Sequence, residues 1–231
     1  MRRLLPLLLL LVAVGGCYTV QRSSSYYGLA TGASALVFVV DISGSMEGRQ
    51  EGTLTDRVRG EAAERAGSAV ARGIGGAVGR VAGRQVRRES TKLGGAKREL
   101  IPALRGLPAT AQFGLITFGD RVEAWRPDLA PATAANTSAA SLHVSRLSAD
   151  GSTPMRAALE RAFAMRGVRT VILVTDGQPT DGSASSIRDL ARTLNRGRGV
   201  TLHTVGLGGD QDAAFLAALA ADHGGRYVRR P

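Results

Sequence analysis

From Ala35 onward the chain alternates short apolar runs with segments of helical spacing, and this alternation restricts the fold more than any other feature. The runs ALVFVVD (Ala35–Asp41), QFGLITF (Gln112–Phe118), RTVILVTD (Arg169–Asp176), VTLHTVGL (Val200–Leu207) and RYVRR (Arg226–Arg230) have strand length. Four of them are rich in β-branched or aromatic residues. Helix-like segments lie between them, so parallel strands joined by crossover helices are expected. A short VEAW run, Val122–Trp125, follows Gln112–Phe118 across Gly119-Asp120-Arg121, which predicts a hairpin and one antiparallel edge strand.

In KLGGAKRELIPALRGL, Leu93, Ala96, Leu100, Ala103, Leu104 and Leu107 recur at helical intervals, with Pro102 expected to kink or shorten the helix. TPMRAALERAFAM puts Pro154 at a first helical position after Thr153. SASSIRDLARTLNR opens on serines suited to capping, and DQDAAFLAALAADHGG stops at Gly224 and Gly225. The predicted architecture is α/β: a doubly wound, mostly parallel sheet with one antiparallel edge strand and helices on both faces. Ligands of such sheets sit outside the carboxyl ends of the strands, where strand order reverses. Functional residues are therefore expected just after Asp41, Phe118 and Asp176.

Three segments stand at or near those places. Asp41-x-Ser43-x-Ser45 follows the first apolar run, Gly151-Ser152-Thr153-Pro154 opens a helix, and Val174-Thr175-Asp176-Gly177 ends a strand. Together they resemble the von Willebrand factor type A domain, a Rossmann-like fold, over Ala35 to about Val228. In that family the three segments form a metal-ion-dependent adhesion site. The resemblance implies Ser43, Ser45 and Thr153 as hydroxyl ligands, with Asp41 and Asp176 binding directly or through water. It also implies a protein-binding module rather than an enzyme.

The chemistry of these residues agrees with that implication. Oxygen donors without nearby cysteine or histidine suit a hard divalent cation, Mg²⁺ first, with Ca²⁺ and Mn²⁺ as alternatives. Asp41 and Ser43 can project the same way at a strand end, Gly44 permits the bend, and Ser45 can return as a helix opens. Neutral hydroxyls leave a bound ion with net positive charge, which a partner's Asp or Glu carboxylate can complete. The loop departs from the family pattern, since Asp150-Gly151-Ser152-Thr153 has serine where a second glycine is usual. The ligand could therefore move to Ser152, or Asp150 could join the site.

Catalytic readings have less to rest on. Position 43 is serine, which removes the Asp-x-Asp pair of a haloacid dehalogenase-type phosphatase. A serine hydrolase needs a base, for which only His143, His203 and His223 are available. His203, inside an apolar run, is expected in the core, and the other two at the surface. The Gly-x-Ser-x-Gly elbow and the Walker loop are both absent from the sequence.

The ends and the interior insertion bear on location. MRRLLPLLLLLVAVGGC has a basic start, an apolar stretch and small residues before Cys17, the chain's one cysteine, and reads as a signal peptide over residues 1–16. Val14-Gly15-Gly16-Cys17 resembles the lipobox of bacterial lipoproteins, which implies lipidation of Cys17 and a lipid-anchored place in the cell envelope. Tyr18, rather than aspartate, after that cysteine favours the outer membrane. Residues 17–34 are then a lipidated N-terminus and polar tether, and residues 35–231 the domain, with a basic, glycine-rich insertion at about 50–91.

Within the insertion Gly75, Gly79 and Gly83 recur every fourth residue, as in glycine zippers. Arg72, Arg80 and Arg84 interrupt the same span and oppose membrane crossing. Either a basic amphipathic helix on an anionic membrane or a loosely ordered basic loop fits. A formal charge of +11 is compatible with a membrane or an acidic protein, while export and an aromatic content of 4% oppose nucleic acid. A metal-independent, membrane-associated scaffold acting through the insertion is the rival reading.

Overall fold

The computed structural model describes residues 25–31, 34–48, 65 and 91–230. Cys17, the export segment and, apart from Arg65, the insertion at residues 50–90 lie outside the described residues.

The described chain begins with a two-stranded hairpin, β1 (Ser25–Tyr26) and β2 (Leu29–Ala30). It continues through β3 (Ala35–Asp41), a 3-10 turn (Gly44–Glu47), helix α1 (Lys92–Arg105), β4 (Gln112–Phe118), β5 (Val122–Ala124) and β6 (Ala130–Pro131). Helices α2 (Ala134–Arg146) and α3 (Met155–Ala164) precede β7 (Thr170–Thr175). The order closes with α4 (Ala184–Asn195), β8 (Thr201–Leu207), α5 (Ala213–Ala221) and β9 (Tyr227–Arg230).

The main sheet runs β5-β4-β3-β7-β8-β9, with β6 also paired to β4. Strands β4, β3, β7, β8 and β9 are parallel, whereas β5 and β6 are antiparallel to β4. The expected hairpin edge is therefore present, and β6 extends it. Strand order reverses at β3, with β4 on one side and β7 on the other.

Apolar residues on both sides of each central strand explain why those runs are continuous rather than alternating. Leu36, Phe38 and Val40 face one core with Ile172 and Val174, beneath Leu93, Leu100 and Leu104 of α1 and Val144 of α2. Val37 and Val39 face the other with Leu173, covered by Leu159 and Phe163 of α3, Ile187 of α4 and Leu216 of α5. Both layers hold the ends of β3 and β7 rigidly, and at those ends the candidate residues lie.

Several expectations are corrected. Helix α1 runs through Pro102 and ends at Arg105, three residues further on, the missing proline N–H costing it one intrahelical bond rather than breaking it. Pro154 is not the first helical residue: its ψ of 66° is non-helical, and α3 starts at Met155. His223 is buried rather than at the surface, with Nδ1 2.9 Å from Asn195 Nδ2. His203 is only half-buried, and its Nδ1 accepts from the backbone N–H of Arg226. Within the stretch read as a tether, residues 25–31 belong to the fold: Tyr26 is fully buried, edge-on to Phe38 at 5.4 Å between ring centroids. Helix α2 and strand β6 have no counterpart in the sequence reading.

Candidate metal centre

Asp41 ends β3 and Asp176 directly follows β7, so the two neighbouring strands deliver both carboxylates to one edge of the sheet. Both residues are fully buried. Asp41 Oδ1 accepts from the backbone N–H of Ser43 at 2.8 Å, and Oδ2 from the Thr175 hydroxyl at 2.5 Å. Among the described residues no lysine or arginine pairs with it. Burial pushes its pKa up to about 6, although hydrogen bonds from Ser43 and Thr175 pull the other way and the nearby Asp176 adds to the rise.

The hydroxyls bridge the two acids. Ser43 Oγ is 3.1 Å from Ser45 Oγ, and Ser45 Oγ donates to Asp176 Oδ1 at 2.8 Å. Ser43 is buried and Ser45 exposed, so the oxygen cluster opens to solvent on the Ser45 side. The turn carrying them is anchored by buried Met46 and by the Met46 N–H bond to Ser43 O, 3.0 Å.

The third segment docks through its backbone. Gly44 N–H donates to Gly151 O at 3.0 Å, and Asp150 N–H to Ile42 O at 2.7 Å. Gly151 has φ +80°, and a Cβ there would lie 2.3 Å from Asp120 N, so both conformation and space require glycine. Thr153 is buried and the preceding Ser152 exposed. Thr153 N–H donates to Thr180 Oγ1 at 3.1 Å, and its carbonyl accepts from Thr180 N–H at 3.0 Å. The Asp181 carboxylate then caps α3, accepting from the N–H groups of Arg156 and Ala157, each at 3.0 Å. Among the described residues no hydrogen bond joins the Thr153 hydroxyl to the other four candidates; its loop reaches them through Gly151.

Three residues missed by the sequence reading complete the site. Thr175 and Asp181 have the roles just given. The third is Lys92, the first residue of α1, whose ammonium donates to Asp176 Oδ2 and to Asp210 Oδ1, both at 2.8 Å. Burial alone would lower its pKa, but the hydrogen bonds and charges of Asp176 and Asp210 outweigh burial and raise it. The Thr-Asp-Gly order of the β7 end could have pointed to Thr175. Nothing local could have pointed to Lys92, whose partner Asp176 is 84 residues away in the chain.

The donor set fits a hard divalent cation on its chemistry. A buried carboxylate with only neutral donors, two adjacent hydroxyls and a second buried carboxylate form a set of oxygens with one solvent-facing side. Among the described residues no group of three or more His, Cys, Asp or Glu side chains could hold a metal, so any ion here would rely on hydroxyls as well.

This topology, a mostly parallel doubly wound sheet with helices on both faces, defines an α/β class whose ligands sit outside the carboxyl ends of the strands. The profile of the von Willebrand factor type A domain matches residues 90–229, more than half of the chain, and the chain belongs to that family. Human inter-alpha-trypsin inhibitor heavy chain H4 is 30% identical over 212 residues, 86% of this chain and 18% of that protein. Human von Willebrand factor A domain-containing protein 3A is 36% identical over 117 residues, half of this chain and 10% of that one. The chain thus spans less than a fifth of the length of these curated relatives. Among solved structures, a von Willebrand factor type A protein from Catenulispora acidiphila superposes with a TM-score of 0.60 at 22% identity, covering 88% of this chain and 39% of that one. BatB from Bacteroides thetaiotaomicron superposes at 0.55 with 17% identity, covering 85% and 90%. At these identities the structural likeness concerns the fold.

Proposed function

We propose that this domain is a metal-dependent protein-binding module. Asp41, Ser43, Ser45, Thr153 and Asp176 would hold a divalent cation, Mg²⁺ first. When bound, the ion supplies an electrophilic position that a partner's Asp or Glu carboxylate completes. The observation that carries this reading is Asp41: a fully buried carboxylate with only neutral donors, beside hydroxyls linked in turn to a second acid.

The chain's own residues do the positioning. Thr175 fixes one Asp41 oxygen and the Ser43 amide the other, so the carboxylate cannot rotate away. Exposed Ser45 marks the side from which a partner acid approaches. Burial of Thr153 and exposure of Ser152 favour Thr153 as the loop ligand. A hydrolytic reading has less support, because among the described residues the side-chain hydrogen bonds of Ser43 and Ser45 run to each other and to Asp176, and none to a histidine base.

Export and lipidation at Cys17 would place the module on the cell envelope, tethered rather than spanning. Among the described residues no helix is long and apolar enough to cross a membrane. Calorimetric titration of chelator-treated protein with magnesium, manganese and calcium salts tests the metal reading. One-site binding lost in Asp41→Ala is expected; absence of heat from folded wild-type protein overturns it. Pull-down from envelope extracts with and without chelator then tests partner capture.

A further inference from the structure

Lys92 lies in a slot built for it. Its side chain is 7% exposed and ends between Asp176, fully buried, and Asp210, 65% exposed. Gly208, at φ +80°, forms one wall: a Cβ there would come within 2.5 Å of Lys92 Cε and 2.9 Å of Nζ. Gly48 forms another, 3.6 Å from Cε by the same measure, and its carbonyl accepts the Lys92 backbone N–H at 2.9 Å. Backbone and side chain are thus both held at the start of α1.

The ammonium occupies one oxygen of Asp176, Oδ2, while the other, Oδ1, accepts from Ser45. Neither oxygen is without a donor. A cation among Ser43, Ser45 and Asp41 would therefore meet an Asp176 whose charge is already half claimed.

We propose that Lys92 is a tethered counter-ion that sets the charge of the cation site, competing for Asp176 and leaving a bound ion in need of an outside carboxylate. This rests on the metal-dependent reading above. Two buried carboxylates would by themselves neutralise a dication. The added ammonium leaves one positive charge over, which weakens cation binding in isolation and favours an incoming acid. Asp210, facing solvent, tempers the ammonium from the other side.

The test uses the full chain, freed of metal by chelator, in three forms: wild type, Lys92→Met and Asp210→Asn. Each is titrated with manganese and magnesium chloride by calorimetry, and melted with and without the ion. Lys92→Met removes the competing charge and is expected to bind the ion about tenfold more tightly. It should melt lower without metal, because Asp176 is then buried unpaired, and gain more from added ion than wild type does. Asp210→Asn leaves the ammonium on Asp176 alone and is expected to weaken binding several-fold.

Opposite shifts in the two variants support the counter-ion role, since a merely structural lysine would not produce them. Unchanged or weakened binding in Lys92→Met, with wild type still binding, overturns this inference and leaves the metal reading standing. If Lys92→Met fails to fold, Asp210→Asn decides: unchanged affinity overturns the inference. No binding by folded wild-type protein overturns the metal reading and this inference with it.

Discussion

The Thr175 hydroxyl donates to Asp41 Oδ2 at 2.5 Å, from the last residue of one parallel strand to the last residue of its neighbour. The bond crosses the point where strand order reverses, and among the described residues it is the one side-chain bond holding that carboxylate from the β7 side. Thr175→Val keeps the shape and removes the donor. Leaving a buried carboxylate oxygen unsatisfied costs about 1–3 kcal/mol. The variant is therefore expected to melt several degrees lower than wild type in the absence of metal and to bind manganese more weakly by calorimetry. Wild-type values for both would show that the bond is dispensable.

How much of this site is legible in the sequence depends on the distance over which each contact acts. Strands β3 and β4 have the bounds predicted for them, because a β-branched run buried on both faces carries its own signal. Asp41, Ser43 and Ser45 belong to one turn, so their grouping is visible locally. Helix α2 is not, since only Thr137, Ala140, Ser141 and Val144 face inward and small or polar residues leave little apolar period to detect. Lys92, Thr175 and Asp181 act on residues distant in the chain, and those pairings exist only once the strands are ordered. The insertion between Gly48 and Lys92 hides the lysine further by separating it from the serine turn that it adjoins in space.

A pH dependence follows from the other end of the molecule. Asp222, just past α5, is held by Arg188 at 2.8 Å and by Arg192 at 2.9 Å. Its hydrogen bond with Arg188 is the chief reason that its pKa falls to about 2, with Arg192 contributing and partial burial opposing. A depressed acid stabilises the fold fully above its unfolded value, near 3.9, and loses that contribution as pH falls through the folded value. Solvent screening at this partly open pair keeps the contribution to about 1 kcal/mol. Asp222→Asn should accordingly be about that much less stable than wild type at pH 7 in urea denaturation. The difference should close between pH 4 and pH 2; a gap independent of pH would assign the loss to packing instead.

The N-terminal hairpin offers the last expectation. Tyr26 and Leu29 are buried against the core that includes Phe38, Leu100 and Leu104, and the Arg230 guanidinium lies 5.3 Å from the Tyr27 ring centroid. The hairpin thereby joins the start of the described chain to its final strand and covers one edge of the α1 layer. A tether that only connected an anchor to the domain could be cut without consequence, whereas this segment buries two aromatic rings. Replacing a buried aromatic by alanine costs about 3–5 kcal/mol, a large share of a domain's net stability. Tyr26→Ala, and a chain starting at Ala35, should both unfold at markedly lower urea than a chain starting at Ser25. Manganese affinity of whatever remains folded should be unchanged, because the hydrogen bonds that hold Asp41, Ser43, Ser45 and Asp176 come from β3, β7, the serine turn and Lys92. Equal urea midpoints for the two truncations would return residues 25–31 to the role of a simple linker.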